Sequence, residues 1–326
     1  MYRTLMVPLD GSSFGEHALL PALGIARRAA AAIDLVHICT QLGPNVFGSG
    51  LDTPVPGETR LDQMYARARA YLDQLASSLS ARWEVAITTT VLDGRVADSL
   101  YDHALASRAD LVVMTTHGYG PLARAWMGSV ADRLVRCLPM PVLLVRPREE
   151  APDLLEVVRE PAFKHVLIPL DGSPLSEEIL RPAVALGTLM GTSYTLIQAL
   201  DPLVAEHTRP PYAAGLDRSL LEELRQHALA YLEGIADRLR AQSLEVRTAL
   251  VVEQPHIAIL NYAREHAVDL IALSTHGRGG LVRMLLGSVA DKVVRGADIP
   301  VLIQRPRGEL PTSAAIVDHA GEHDQG

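Results

Sequence analysis

Short runs that are apolar throughout alternate with longer stretches of helical periodicity, and the whole alternation occurs twice along the chain. In the first round, residues 4–9 form an apolar run that ends in Asp-Gly-Ser, with Ser12 placed to cap an amphipathic helix ending near Ala32. IDLVHIC (33–39) reads as a second strand, residues 61–82 as a second helix, VAITTTVL (85–92) as a third strand and residues 96–107 as a third helix. DLVVMTT (110–116), a helix over Ser129–Cys137 and PVLLV (141–145) complete the round. Strands apolar on both faces and separated by helices are what a parallel sheet covered on both sides requires. Right-handed crossovers wind such a sheet into a doubly wound α/β layer.

The second round is a copy of the first. LMVPLDGSS (5–13) returns as VLIPLDGSP (166–174), ADLVVMTTHG (109–118) as VDLIALSTHG (268–277), and MPVLLVRPR (140–148) as IPVLIQRPR (299–307). Between Asp110 and Arg148 about half of the positions are identical to those from Asp269 to Arg307, with no gap. A period this long exceeds any solenoid repeat and indicates duplication of a domain. The expected organisation is a first domain at 1–147, a linker at 148–162, a second domain at 163–307 and a disordered tail at 308–326. Long Gly- and Pro-containing loops follow the second strand of each copy, at 41–58 and 201–215; βα connections of that length are commonly functional.

Composition narrows the classes. The 326 residues carry 48% hydrophobic, 21% charged and only 4% aromatic side chains, so the cores are aliphatic. A net charge of −8 opposes nucleic-acid and anionic-membrane binding. Cys39 and Cys137 occupy unrelated places in the two copies, which argues against a disulfide framework and for a reducing compartment. The N-terminal segment lacks the features of a signal peptide, and no apolar run approaches a bilayer span. A cytoplasmic location is the expectation.

The candidate chemistry lies in two repeated segments. Pro-Leu-Asp-Gly-Ser follows strand one, and Thr-His-Gly follows strand four, at the end of the sheet where ligands bind beside the reversal of strand order. After nine intervening residues from Gly118 and Gly277, the pairs Gly128-Ser129 and Gly287-Ser288 open a helix. A helix start offers free N–H groups and about half a positive charge, glycine allows close approach of phosphate, and serine adds a hydroxyl. The residues themselves thus describe a phosphate cradle near a carboxylate, Asp10 or Asp171, able to hold a sugar hydroxyl or a base.

Together, VPLDGS, DLVVMTTHG, HG-x9-GSVAD and PVLLV resemble the universal stress protein family, over about residues 3–147 and 163–306, as a tandem two-domain member. The resemblance implies two tandem doubly wound domains, each a five-stranded parallel sheet of order 3-2-1-4-5 with helices on both faces. It also implies an ATP site, with or without Mg2+, built on G-x2-G-x9-G-[ST]. Carried over, the phosphate side is Gly118, Gly128 and Ser129 with the backbone of Val130 and Ala131. In the second copy it is Gly277, Gly287, Ser288, Val289 and Ala290. The adenine and ribose side is Pro8, Asp10, Ile38 and Met114, matched by Pro169, Asp171, Ala199 and Leu273. Arg278 adds a positive charge where the first copy has Tyr119. The pattern departs at its first glycine, which is Thr115 in one copy and Ser274 in the other.

Three functions stay open at this point. One is a stress-response regulator binding an adenine nucleotide in both domains with at most slow hydrolysis. Another is a nucleotide-free structural or partner-binding protein, and a third is a phosphoryl or nucleotidyl transferase. No base recurs at fixed spacing beside His117 and His276, so these are expected to order the loop or touch ligand rather than to catalyse. Asp132 and Asp291 complement the helix dipole, Cys39 reads as a small buried hydrophobe, and the basic residues of 67–79 as a solvated helix face. Single-domain relatives pair through their final strands, so Val142–Val145 and Val301–Gln304 are expected to pair antiparallel within the chain as a pseudo-dimer, with a homodimer of whole chains also allowed.

Overall fold

A computed structural model of the chain describes residues 2–40, 60–117, 127–154, 163–201, 217–275 and 286–306. The first copy runs β1 (Thr4–Pro8), α1 (Ser13–Glu16), α2 (Leu19–Ala29), β2 (Ala32–Cys39), α3 (Arg60–Trp83), β3 (Ile87–Asp93), α4 (Val96–Ala106), β4 (Leu111–Thr115), α5 (Ser129–Cys137) and β5 (Val142–Val145). The second runs β6 (His165–Pro169), α6 (Pro174–Glu177), α7 (Leu180–Met190), β7 (Ser193–Leu200), α8 (Asp217–Arg240), β8 (Val246–Val252), α9 (Pro255–Glu265), β9 (Leu270–Ser274), α10 (Ser288–Gly296) and β10 (Val301–Gln304).

The strands form one ten-stranded sheet, ordered β3-β2-β1-β4-β5-β10-β9-β6-β7-β8. Each half is parallel and has the order 3-2-1-4-5 that the family resemblance implies. The two halves are joined by one antiparallel pair, β5 with β10, in the register Val301–Leu144, Leu302–Leu143 and Ile303–Val142. The final strands therefore meet within the chain, as expected, and neither remains an open apolar edge.

Alternation along the strands divides the apolar residues between the faces of the sheet. Leu5, Val7, Leu143 and Leu302 belong to one core, Met6, Val142, Leu144 and Ile303 to the other, and both cores draw on both halves. Burial of each such aliphatic side chain is worth about 1.5–3 kcal/mol, so the halves share the hydrophobic drive that holds them together. Polar ties cross the same boundary. The Arg146 guanidinium donates to the Ala297 carbonyl at the end of α10 (3.2 Å) and pairs with Asp298. The Gln304 amide donates to the Pro139 carbonyl just beyond α5 (3.2 Å). On the opposite face the Tyr2 hydroxyl donates to the Pro182 carbonyl (3.0 Å).

One expected element divides. The helix read from Ser12 to near Ala32 is two, α1 and α2, because the chain tightens at its junction: His17 N–H donates to the Phe14 carbonyl and Ala18 N–H to that of Gly15. These are three-residue rather than four-residue steps, the geometry of a 3₁₀ turn. The second part stops at Ala29, where Ala30 enters the left-handed region (φ 51°) and turns the chain into β2.

Candidate functional site

The site begins at the turn after β1. In Asp10-Gly11-Ser12 the Asp10 carboxylate accepts from the Ser12 N–H (3.0 Å) and hydroxyl (2.6 Å), and the Ser12 hydroxyl oxygen in turn accepts from Gly15 N–H. Asp171 and Ser173 repeat this at 2.9 and 2.6 Å. The turn needs a left-handed residue between them, supplied by Gly11 (φ 82°) and Gly172 (φ 84°). The carboxylates thus order the turn that opens α1 and α6, whatever else they contact. Pro8 and Pro169 end the preceding strands, half-buried.

The second wall forms after β4 and β9. The Gly128 N–H donates to the Thr116 carbonyl (2.8 Å) and the Gly287 N–H to that of Thr275 (2.9 Å), so each helix start is fixed against the strand end that precedes it. A methyl group on Gly128 would stand 3.2 Å from the Thr116 carbonyl oxygen, which leaves little room for a larger residue. Gly128 and Gly287 are the N-caps, and neither helix has a side-chain cap. Ser129 and Ser288 are exposed, Val130 and Val289 half-buried, and the side chains of Ala131 and Ala290 face the core, leaving only their backbone for a ligand. Uncapped N–H groups at the positive end of a helix suit an anion.

Ile38, Met114 and Leu273 are buried in the core on the α5 and α10 face, while Ala199 is half-buried near the end of β7. The structure brings the described residues expected from the sequence to the carboxyl ends of the strands in each half. Gly118, Gly277 and Arg278, with His276, Tyr119 and the loops around them, lie outside the described residues.

His117 stands beside the cradle. Its Nδ1 lies 3.0 Å from the Thr116 hydroxyl, while its Nε2 is buried without a hydrogen-bond partner among the described residues. Burial first, and then the positive charges of Arg146 and Arg295, hold its pKa below the ordinary histidine value. Arg295 belongs to the other half, at the end of α10, an influence on the first site that sequence reading did not anticipate. The shared spacing in VADRLVR and VADKVVR carries a different signal, an aspartate four residues before an arginine in each copy. It sets Arg136 on Asp132 (2.6 Å) and Arg295 on Asp291 (2.8 Å), so these carboxylates hold an arginine as well as facing the helix dipole. Cys39 is buried, which raises its thiol pKa. No grouping of acidic, His and Cys residues suited to a metal occurs among the described residues.

The described residues contain no helix long and apolar enough to cross a membrane. A universal stress protein of Mycobacterium tuberculosis (strain ATCC 25618 / H37Rv) is 32% identical over 202 residues, 62% of this chain, and the match spans 63% of that relative's length. One from Mycolicibacterium smegmatis is 28% identical over 308 residues, 93% of this chain and 97% of its own. The crystal structure of a universal stress protein from Archaeoglobus fulgidus superposes with a TM-score of 0.62 at 18% identity, covering 93% of this chain and 98% of that one, a likeness of fold. The sequence profile of the Universal stress protein family matches twice, at residues 1–146 and 162–305. With the profile spanning both copies, and the fold and repeated segments in agreement, the chain belongs to the universal stress protein family.

Proposed function

We propose that the chain is a cytoplasmic regulator of the stress response that binds ATP, with or without Mg2+, in both of its domains, taken as 1–147 and 163–307. The observation that carries this reading is the paired cradle: a glycine N-cap fixed to the preceding strand end by its own N–H (2.8 and 2.9 Å), followed by an exposed serine and an uncapped helix start. Phosphate would lie against the N–H groups of residues 129–131 and 288–290, where the helix dipole favours negative charge. The sugar and base would lie toward the Asp10 and Asp171 turns. No residue is assigned a catalytic part, and His117 is read as ordering its loop through the Thr116 hydroxyl.

The competing reading is a protein that kept the fold and lost the nucleotide, and it draws on Thr115 and Ser274, whose Cβ atoms stand where the family's binding pattern has glycine. Denaturing the purified chain and identifying any nucleotide released separates the two. Adenine nucleotide at up to two equivalents per chain is expected. No release, together with no uptake of added ATP, would favour the nucleotide-free protein.

A further inference from the structure

The chain that leaves β5 toward β6 is fastened to the first half at two points within residues 148–154. At Leu154 the side chain is buried in the core, and the carbonyl accepts from the indole N–H of Trp83 (3.0 Å), the fully buried residue that ends α3. Arg27, near the end of α2, lies over the Trp83 ring at 5.7 Å. Four residues earlier, the Glu150 carbonyl stands 2.9 Å from Nε2 of His17. His17 is the C-cap of α1, and its Nδ1 lies 3.0 Å from the Ser13 carbonyl of the same helix.

Both ring nitrogens of His17 thus face carbonyl oxygens, which only accept. A neutral imidazole carries one N–H, so it satisfies one carbonyl and sets a lone pair against the other, whereas the imidazolium donates to both. His165 shows the contrast. One of its nitrogens faces the His266 carbonyl (3.1 Å), but the other faces the Thr195 hydroxyl (2.8 Å), which donates or accepts as needed, so a neutral ring suffices there. On α1 the neighbouring Glu16 accepts from the Tyr71 hydroxyl of α3 (2.8 Å). The connecting segment brings Arg148, Glu149, Glu150 and Asp153, and α2 ends with Arg27 and Arg28 in its last turn. β4, which also packs on α1, has no charged residue. The charged residues that adjoin the two bonded positions in the chain, Glu16 and Glu149, are carboxylates, as is Glu150 itself, so they do not oppose a cation at His17.

We propose that His17 is a pH-responsive clasp: as the imidazolium it fastens the connecting segment to α1, and as the neutral ring it lets the segment loosen. The Glu150 carbonyl is an acceptor that only the docked segment brings to the ring, so docking and protonation favour each other, and the segment tightens as pH falls. α1 opens from the Asp10 turn, so one short helix carries both a wall of the first candidate site and the fastening of the chain that leads to the second half. The equivalent of His17 in the second copy is Glu178, which has no ring nitrogen to offer, so the device belongs to the first half.

The test needs no nucleotide. Tryptic cleavage of the full chain after Arg148 measures how often the segment comes loose, and a free peptide of residues 144–154 corrects for the pH dependence of the protease itself. Relative to that peptide, cleavage of the wild type should be about three- to tenfold faster at about pH 8 than at about pH 6, on either side of the ordinary histidine range. That is the change expected when a charge-assisted hydrogen bond gives way to a neutral one. In His17→Gln the corrected rates at the two pH values should be equal. Trp83 gives a second reading. The chain has two tryptophans, so Trp126→Phe leaves Trp83 as the single fluorophore, and its quenching by acrylamide should rise from about pH 6 to about pH 8 only while His17 is present. Should Trp126→Phe not fold, the cleavage rates, which need no change at Trp126, decide alone. A wild-type chain cleaved equally fast at both pH values, after correction, would overturn the proposal. So would a pH dependence that persists undiminished in His17→Gln, by assigning the fastening to another group.

Discussion

Leu143 and Leu302 occupy the same place in the two copies, each directly after Pro-Val, and they are cross-strand partners in the pair that joins the halves. A residue paired with its own counterpart marks the position of an approximate two-fold axis, as in an isologous dimer interface. Both are fully buried. Replacing either by alanine should cost about 2–5 kcal/mol. Because the two strands share this position, the double variant should depart from additivity by about 0.5–3 kcal/mol. Denaturant unfolding of the four proteins of the cycle measures the coupling. Strict additivity would mean that the central pair does not hold the halves together.

The first copy also contains a buried polar cluster that has no counterpart among the described residues of the second. The Asp34 carboxylate, 6% exposed, meets His103 Nε2 at 2.6 Å and accepts from the Thr90 hydroxyl at 2.9 Å. In the second copy the strand position of Asp34 is Thr195, bonded instead by His165 (2.8 Å). Asp34→Ala strands the imidazole and the threonine hydroxyl, and should destabilise the chain by about 1.5–3 kcal/mol. Thr195→Ala should cost about 1 kcal/mol. Equal losses in thermal unfolding would show that the Asp34 cluster carries no extra stability.

Acid should act partly through two histidines. His37 is buried, with Nδ1 2.8 Å from the Leu9 carbonyl, and burial lowers its pKa, as burial and two arginines lower that of His117. In each case the unfolded chain takes up the proton first, near the ordinary value of 6.5. The stability is therefore present above that pH and is lost as pH falls through the lower, folded values. His117→Gln and His37→Gln should each flatten the decline of melting temperature below about pH 6.5. A decline as steep as that of wild type in both variants would contradict the assignment.

Catalysis offers a separate check. Changing His117 and His276 together to glutamine should leave any slow ATP turnover within a few-fold of wild type. General acid–base catalysis supplies about 10²–10⁴-fold, so a fall of that size would make these histidines catalytic and favour a transferase.

Much of this was legible because the signals are local or repeated. Continuous apolar strands announce a sheet covered on both faces, and Leu143 and Leu302 could be matched by eye because PVLLV and PVLIQ follow the same motif. The 3₁₀ step at His17 was not legible, since Phe14-Gly15-Glu16-His17 carries no breaker of the strength of proline. Nor could spacing reveal that Arg146 reaches the end of α10, or that Arg295 bears on His117, because these depend on how two distant segments meet across the axis.

The account stands most directly on the number of ATP molecules that one chain binds when both helix starts are altered. Calorimetric titration of wild type should give up to two ATP per chain. The Gly128→Glu, Gly287→Glu double variant should give none while keeping the wild-type far-UV circular dichroism, because an acidic side chain at each N-cap blocks the approach of phosphate and repels it. Undiminished ATP binding in that folded variant would contradict the account.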